Sequence, residues 1–242
     1  MPNRQEIRER HRKQKQQQRV ITILVLVGSV FILAAVLMMP TIRDATTPVG
    51  EFNQPAVISR PMANGNTMGD PNAPVKIEIY SDFGCCHCAL FAQTTGEQLA
   101  EQYVTTGQVY FEYNSVGGLL GNPISISAAE AAYCAADQNM FWEYQDILYA
   151  NQATLYSNIN KNLDKTFIAY ADSLGMDSGI FKSCLDSNQH SADVQQDQVE
   201  ATQAGINSTP SFLINGTLFV GNQPLDKFQA AIEAQLSQAA QQ

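Results

Sequence analysis

Three cysteines and a histidine occupy four consecutive positions, Cys85, Cys86, His87 and Cys88. The apolar run Val75 to Tyr80 before them predicts a strand, and Ala89 to Val104 after them predicts a helix, which places the thiols on its first turn. Unpaired N–H groups and the dipole at a helix N-terminus stabilise a thiolate, and a protonated His87 would add to this effect. The predicted chemistry is thiol–disulfide exchange, in which a stabilised thiolate makes the disulfide form an oxidant.

Geometry selects one disulfide among the three thiols. The Cα atoms of adjacent residues lie about 3.8 Å apart, which would strain a Cys85–Cys86 bond. Cys86 and Cys88 would point to nearly opposite sides of a helix, whereas Cys85 and Cys88 share a face at about 5–6 Å. We therefore predict a Cys85–Cys88 pair, with Cys85 attacking from the helix entrance and Cys88 resolving the mixed disulfide.

A metal site is the alternative interpretation of the cluster. Cys85, Cys86 and Cys88, with or without His87, could bind a soft ion such as zinc or copper. Structural zinc usually takes its ligands from two separated pairs, and the sequence has no second Cys-x-x-Cys motif. We predict neither a metal nor an organic cofactor, and a metal carrier that uses these cysteines remains a rival function.

The other two cysteines, Cys134 and Cys184, lie in segments that both predict helices. A disulfide between them would close a loop of about 50 residues and stabilise the fold by roughly 4 kcal/mol. The alternative is two separately buried thiols. The nearby His190 is expected to be a solvated helix end rather than a ligand.

The N-terminus predicts a membrane anchor. Residues 1–19 hold seven Lys and Arg against two Glu, and residues 20–39 contain no charged residue. A run of 20 residues spans about 30 Å as a helix, and no Ala-x-Ala cleavage site follows it. We expect a single-pass anchor with a basic cytoplasmic tail and an extracytoplasmic catalytic domain, the alternative being secretion after signal cleavage.

The remaining chain is acidic. The net charge is −9, of which the tail contributes +5, so the remainder carries −14. This charge argues against nucleic-acid binding. A Pro-rich linker is predicted over 40–68, and one domain over 69–240.

The hydrophobic pattern of this domain predicts an α/β fold. Gln108 to Tyr113 alternates like a strand, and the Asn215-Gly216 turn predicts a hairpin between Ser211–Ile214 and Thr217–Val220. Between these strands the period is helical. Candidate start signals of the helices are a Ser127/Glu130 capping box, Asp164, Asp177 and, after the hairpin, Pro224. Three aromatic residues, Phe141, Trp142 and Tyr144, are predicted to lie in the core. Ile180, Phe181 and Cys184 are predicted to share one helix face.

Two motifs together carry a family resemblance. Residues Ser81 to Cys88, with Thr209-Pro210 directly before the hairpin, resemble the bacterial DsbA-type thiol:disulfide oxidoreductases. The resemblance covers roughly residues 68–238, and the helical block at about 122–205 is similar to the family's inserted helical domain. It implies a thioredoxin-like sheet with a helical insertion.

The resemblance also implies roles for residues. Cys85 and Cys88 would be the redox pair, His87 would tune it, and Pro210 would be cis and face the thiols. The backbone of Thr209 could then pair with an extended substrate. A trans proline that starts an edge strand is the plainer interpretation of this dipeptide.

The implied activity is oxidation of thiols in exported, unfolded polypeptides. A membrane quinone-linked partner of the DsbB or vitamin-K-reductase type would reoxidise the pair. A reductase or isomerase with the same fold would have a more reducing couple, and it is the main alternative.

The sequence departs from the family pattern at two places. The family usually has Pro at the position of Cys86. The third thiol is therefore expected either to intercept the mixed disulfide or bind a metal, or to be a passive helix residue. The family often has a buried acidic residue six positions before the first cysteine, and in this sequence that position is Ile79. The neighbouring Glu78 points to the other face of the strand, because side chains alternate along a strand. Asp82 is either a substitute for this acid or a turn residue.

Overall fold

The computed structural model describes residues 12–13, 15–16, 18–19, 21–34, 49–58, 60–119, 121–157 and 162–241. The chain divides into two units, Met1–Pro48 and Val49–Gln242. In the first unit residues 21–34 are helical. Among the described residues, no helix has the length and apolar character needed to cross a membrane. Residues 20 and 35–39 of the predicted anchor lie outside the described part of the chain.

The second unit contains a mixed β-sheet. In the described residues its strands are β1 (Ala63–Asn64), β2 (Thr67–Met68), β3 (Val75–Ser81), β4 (Val109–Ser115), β5 (Ser211–Ile214) and β6 (Thr217–Val220). They are arranged in the order β1-β2-β4-β3-β5-β6, and only β3 and β4 pair in parallel. The central strand β3 alternates as its sequence predicts, since Val75, Ile77 and Ile79 are buried and Lys76 and Glu78 are partly exposed.

Helices cover this sheet and form the block between β4 and β5. In chain order they are α1 (Cys86–Gln93), α2 (Thr95–Leu99), α3 (Pro123–Ala136), α4 (Phe141–Ala150), α5 (Gln152–Ser157), α6 (Leu163–Ser173), α7 (Ser178–Asp186), α8 (Ser191–Gln203) and α9 (Leu225–Ala239). The predicted α/β sheet with a helical insertion at about 122–205 is confirmed, because α3 to α8 fill that interval.

The helix that follows the cysteines is interrupted, contrary to the prediction of one helix to Val104. α1 ends at Thr94, whose φ of −135° and ψ of −85° leave the helical region. The Thr94 hydroxyl donates to the carbonyl of Leu90 at 2.6 Å, a local bond that competes with helix continuation. The chain resumes as α2 and finishes as a π-helical turn over Ala100–Val104.

The predicted capping box at Ser127 and Glu130 is wrong. α3 begins four residues earlier at Pro123, because Asn122 caps it by accepting a hydrogen bond from the N–H of Ile124 at 3.0 Å. The Ser127 hydroxyl instead donates to the carbonyl of Pro123 inside the helix.

Of two further helix starts, one differs from its prediction by a single residue and the other agrees with it. Asn162 rather than Asp164 caps α6, whereas Asp177 caps α7 as predicted. On α7 the prediction for Ile180 is wrong, since it is 57% exposed while Phe181 and Cys184 are buried.

Part of the predicted linker over 40–68 belongs to the folded domain. β1 and β2 extend the sheet beside β4. Asn53 exchanges hydrogen bonds with Asn151 at the end of α4, at 2.7 and 2.8 Å. Arg60 forms a buried ion pair with Asp146. A Pro-rich composition therefore did not prevent Asn53, Arg60 and the strands β1 and β2 from joining the domain, because their polar groups find partners there.

Aromatic side chains form much of the core that α1, α9 and the helical block make against the sheet. Phe91 of α1, Phe212 of β5 and Phe228 of α9 make mutual ring contacts with centroids 4.6–5.5 Å apart. The predicted core positions Phe141 and Trp142 are buried on the side of the helical block, as is Tyr144. This packing fixes α1, and hence the cysteines, against the sheet.

Candidate functional site

The three clustered thiols lie where β3 turns into α1, and their exposure differs. Cys85 is the N-cap residue, with a φ of −88° and a ψ of 119°, and its carbonyl accepts from the N–H groups of Cys88 and Ala89, both at 3.1 Å. Cys85 is partly exposed, Cys86 is exposed, and Cys88 is 1% exposed. Only Cys85 of the predicted pair is therefore open to another molecule.

The two paired thiols have pKa values shifted in opposite directions. The pKa of Cys85 is lowered to about 5, and the largest cause is a hydrogen bond from the Cys88 thiol. Burial opposes this shift. Hydrogen bonds from Thr209 and from the backbone N–H groups of Cys88 and His87 lower the pKa further. Burial raises the pKa of Cys88 well above its usual value, and its hydrogen bond to Cys85 adds to this. At neutral pH the arrangement holds one thiolate, on Cys85, and one proton, on Cys88.

His87 is exposed at the start of α1. Its contribution to the Cys85 thiolate in this structure comes from its backbone N–H. The first helical turn thus supplies donors of the kind predicted for a helix N-terminus.

The loop before β5 faces the cysteines. The Thr209–Pro210 peptide bond is cis, and the carbonyl oxygen of Thr209 lies 3.5 Å from the Cys85 sulfur. The carbonyl of Pro210 accepts from the N–H of Gly221 at 2.8 Å, which ties this loop to the end of β6. The structure therefore brings Thr209 and Pro210 to the exposed thiol, 124 residues away in sequence.

Asp82 forms the turn that leads to Cys85 and is fully buried. Its Oδ1 accepts from the N–H of Gly84 at 2.7 Å, and its main-chain carbonyl accepts from the N–H of Cys85 at 3.0 Å. Its Oδ2 is buried, and none of the described residues hydrogen-bonds to it. Burial raises the pKa of the Asp82 carboxyl, and the charge on Cys85 raises it further. Asp82 is thus a turn residue that also places a protonatable group beside the thiols.

Asp82→Asn should stabilise the protein increasingly as pH rises. The raised pKa means that the folded state binds a proton more tightly than the unfolded state, so ionisation of Asp82 costs stability above its unfolded pKa. Asn keeps the acceptor for Gly84 and removes this cost. Urea unfolding of both proteins in the Cys85–Cys88 disulfide form at about pH 4 and about pH 8 should show a larger difference in unfolding free energy at the higher pH. An equal difference at both pH values would contradict the assignment.

The helical block holds the loop that carries Asp82 and Cys85. Gln152 donates from Nε2 to the carbonyls of Phe83 and Cys85, at 2.7 and 3.1 Å. Gly84 packs directly against the block, because a Cβ atom there would lie 2.7 Å from Tyr156 and 2.9 Å from the Ser125 oxygen. The insertion thereby positions the thiols as well as covering the sheet.

Gly84→Ala should destabilise the fold by about 1–3 kcal/mol, because the aromatic ring of Tyr156 must move to admit the methyl group. Gly50→Ala is the matched control, since a Cβ atom at Gly50 meets nothing within 4 Å, and it should change stability by less than about 0.5 kcal/mol. Urea midpoints would compare the two variants. Equal midpoints would show that the close approach at Gly84 does not matter.

A small cavity, lined by both polar and apolar side chains, lies behind Cys88. It has a volume of about 20 Å³, enough for one water, and Ser81, Cys88, Tyr113 and Tyr149 are among its lining residues. The Ser81 hydroxyl lies 2.9 Å from that of Tyr149, which lies 3.3 Å from that of Tyr113. Ser81 also hydrogen-bonds to Cys88 and favours its charged form. These hydroxyls can pass a proton to or from the buried sulfur.

Sequence reasoning did not identify these hydroxyl residues. Strand alternation from Ile77 and Ile79 does place Ser81 on the same face, so that signal was present. Tyr149 and Gln152 come from the helical block, and no local pattern connects them to Cys88.

The remaining two cysteines form a disulfide in the structure, with Cα atoms 5.8 Å apart. It joins α3 to α7 within the helical block. His190, expected to be a solvated helix end, is the N-cap residue of α8, and its side chain is only 15% exposed. Its ring nitrogens lie 2.9 Å from Asp137 and 2.6 Å from Asp193.

Residues 62–234 match the family model described as thioredoxin, which covers the sheet, the cysteine cluster and the helical block. The chain belongs to the thioredoxin family. In this thioredoxin-family domain Cys85 stands at the start of the first helix after the central strand, opposite a cis proline.

Relatives of this thioredoxin-family chain differ in length. It is 28% identical over 171 residues to Na(+)/H(+) antiporter NhaA 3 of Salinispora tropica, covering 71% of this chain and 24% of that protein. It is 26% identical to the probable disulfide bond formation protein D of Bacillus cereus, covering 88% of this chain and 97% of that protein. The chain thus spans about a quarter of the antiporters it matches, and nearly all of the second relative.

Solved structures share the fold of this thioredoxin-family chain. Oxidised BdbD from Bacillus subtilis superimposes with a TM-score of 0.62 at 20% identity, covering 75% of this chain and 98% of that chain. Wolbachia pipientis α-DsbA1 gives a TM-score of 0.63 at 21% identity, covering 75% and 95%. The predicted likeness to DsbA-type proteins is thus confirmed at the level of the fold.

Proposed function

We propose that this protein is a thiol:disulfide oxidoreductase that introduces disulfides into exported polypeptides through Cys85 and Cys88. The observation that carries the proposal is the asymmetry of the two thiols, with a stabilised thiolate at the accessible Cys85 and a buried, protonated Cys88. Stabilising the reduced form in this way makes the disulfide form a better oxidant. The relatives named disulfide bond formation protein D support the same activity.

The reaction begins with the Cys85–Cys88 disulfide. A substrate thiolate attacks the Cys85 sulfur, and the Cys85–Cys88 bond breaks as the substrate–Cys85 bond forms. Cys88 leaves as a thiolate and takes a proton, which the Ser81 hydroxyl is placed to deliver. The second substrate thiolate then attacks the substrate sulfur, and Cys85 leaves as its stabilised thiolate. Two electrons have passed from the substrate to the protein, and the substrate holds a new disulfide.

Thr209 and Pro210 are proposed to position the substrate. The Thr209 carbonyl is 3.5 Å from the Cys85 sulfur, so an extended polypeptide that reaches this sulfur also reaches the backbone of this loop. Such backbone pairing is independent of side-chain sequence and suits a catalyst for many unfolded substrates. His87, exposed beside Cys85, is proposed to tune the pair from the solvent side.

Location and reoxidation follow from the same proposal. Residues 20–39 would anchor the protein in the membrane, with residues 1–19 in the cytoplasm and the folded domain, which includes β1 and β2, outside. A quinone-linked membrane protein of the DsbB or vitamin-K-reductase type would return the dithiol to the disulfide. The uncharged run at 20–39 and the basic residues before it support this orientation.

The test is a stoichiometric oxidation. The protein in its Cys85–Cys88 disulfide form is mixed with a reduced, unfolded polypeptide that has two cysteines, and thiols are trapped at intervals and mapped by mass spectrometry. The proposal predicts that substrate disulfide and reduced Cys85–Cys88 appear in equal amounts. If the substrate thiols persist while the Cys85–Cys88 disulfide stays intact, the proposal fails.

A further inference from the structure

The Cys134–Cys184 disulfide has more donor groups around it than a covalent crosslink requires. One ligand atom from each of Cys134, Cys184 and His190 lies within 4.8 Å of the others. Oδ2 of Asp137 lies 3.9 Å from the Cys184 sulfur and 2.9 Å from Nε2 of His190. Four potential ligand atoms therefore meet at the ends of α3 and α7 and at the start of α8.

Two sulfurs, one imidazole nitrogen and one carboxylate oxygen form a donor set typical of tetrahedral zinc. The ligand atoms of such a site are separated by about 3.3–3.8 Å. The separations from Asp137 to His190 and to Cys184 lie within about half an ångström of that range. The Cα atoms of Cys134 and Cys184 are 5.8 Å apart, which lets both sulfurs reach one ion.

A second layer of contacts orients these ligands. Oδ2 of Asp193 lies 2.6 Å from Nδ1 of His190, which presents Nε2 to Asp137. Gln189 donates from Nε2 to Asp137 Oδ2 at 2.9 Å. A carboxylate on the far nitrogen of a histidine is the usual arrangement behind a metal-binding imidazole, because it fixes the ring and its tautomer.

A cation can reach this group. Asp137, His190 and Asp193 line a cavity of about 420 Å³ that Glu112 and Glu200 also border. The carboxylates make the cavity attractive to a divalent cation. Cys134 and Cys184, which are 2% and 4% exposed, do not line the cavity themselves, but their sulfurs lie next to the lining residues His190 and Asp137.

We propose that reduction of the Cys134–Cys184 disulfide creates a zinc site made of Cys134, Cys184, His190 and Asp137. A dithiol reductant supplies two electrons and two protons, becomes a disulfide itself, and leaves two protein thiols. Zn²⁺ then displaces both thiol protons and binds the two thiolates. The helical block is held by a covalent bond under oxidising conditions and by the metal under reducing ones. This site is separate from the Cys85–Cys88 pair and does not depend on its activity.

The test uses the full chain with Cys85→Ser, Cys86→Ser and Cys88→Ser, so that only Cys134 and Cys184 can supply thiols. The protein is reduced with a phosphine, freed of reductant without oxygen, and titrated with Co²⁺ and then Zn²⁺. We expect about one tightly bound ion per chain, with the thiolate absorption of tetrahedral Co²⁺, and no such binding by the disulfide form.

Substitutions distinguish this site from surface binding. Asp193→Ala should weaken zinc binding about 10- to 100-fold, because it removes the hydrogen-bond acceptor of the His190 ring, and His190→Ala should weaken it at least as much. Asp186→Ala is the control, since this exposed carboxylate forms an ion pair with Lys182, and it should leave the zinc affinity unchanged.

Three results would overturn the proposal. These are no stoichiometric metal in the reduced, folded protein, equal metal binding by the disulfide form, and unchanged affinity in His190→Ala. Circular dichroism accompanies each titration, because reduction alone could unfold the block. If the reduced protein is unfolded without metal, Zn²⁺ must restore the native spectrum, and failure to do so would also overturn the proposal.

Discussion

Cys85→Ser should abolish disulfide transfer to a reduced polypeptide, lowering the rate by a factor on the order of 10³ or more. The Cys85 sulfur is the accessible member of the pair and the atom to which the substrate becomes covalently bound. A serine oxygen can neither form that bond nor accept the electrons. The rate of substrate thiol loss, followed by thiol trapping, measures the effect.

Cys86→Ser is the matched control for this substitution. Cys86 is exposed and adjacent in sequence, but it takes no part in the proposed pair, so the variant should oxidise substrate at close to the rate of the unsubstituted protein. A large loss in Cys86→Ser together with normal activity in Cys85→Ser would mean that the pairing is wrongly assigned.

Cys88→Ala should raise the pH at which Cys85 ionises, whereas Cys88→Ser should leave it low. The largest cause of the lowered Cys85 pKa, about 5, is the hydrogen bond from the Cys88 thiol. A serine hydroxyl can still donate this bond, and an alanine methyl group cannot. The thiolate would then be favoured only by the backbone donors and by Thr209.

The measurement is the rate of Cys85 alkylation as a function of pH, in a Cys86→Ser background so that one exposed thiol reacts. The informative quantity is the pH at the midpoint of the profile, which reports the pKa of Cys85. The plateau rate is less informative, because a thiolate of low pKa is also intrinsically less nucleophilic. Identical midpoints for Cys88→Ala and Cys88→Ser would show that this hydrogen bond does not control Cys85.

Local patterns in the sequence were sufficient for the strands β3 to β6 and for the proximity of Cys85 and Cys88. Strand alternation defined β3, and Asn215-Gly216 defined the hairpin, where both residues have the positive φ values, 45° and 77°, of a type I′ turn. Helix geometry alone placed Cys85 and Cys88 on one face. These features depend on neighbours in sequence, which is why they could be predicted.

The errors arose where contacts between distant residues decide the structure. The start of α3 was predicted at Ser127, yet Asn122 caps this helix and Pro123 occupies the first helical position, where proline is favourable. Residues 53–68 look like a linker, yet Arg60 finds a buried partner 86 positions away. The groups around the thiols, such as Tyr149 and Gln152, are likewise recruited from the helical block.

The most direct test of the account is the equilibrium between the Cys85–Cys88 pair and glutathione, followed by thiol trapping over a range of redox buffers. Because the accessible sulfur is held as a thiolate, the reduction potential of the Cys85–Cys88 pair should lie toward the oxidising end of the range for such dithiols. We expect a value nearer about −120 mV than about −270 mV. A potential at the reducing end would contradict the central claim that this site donates disulfides.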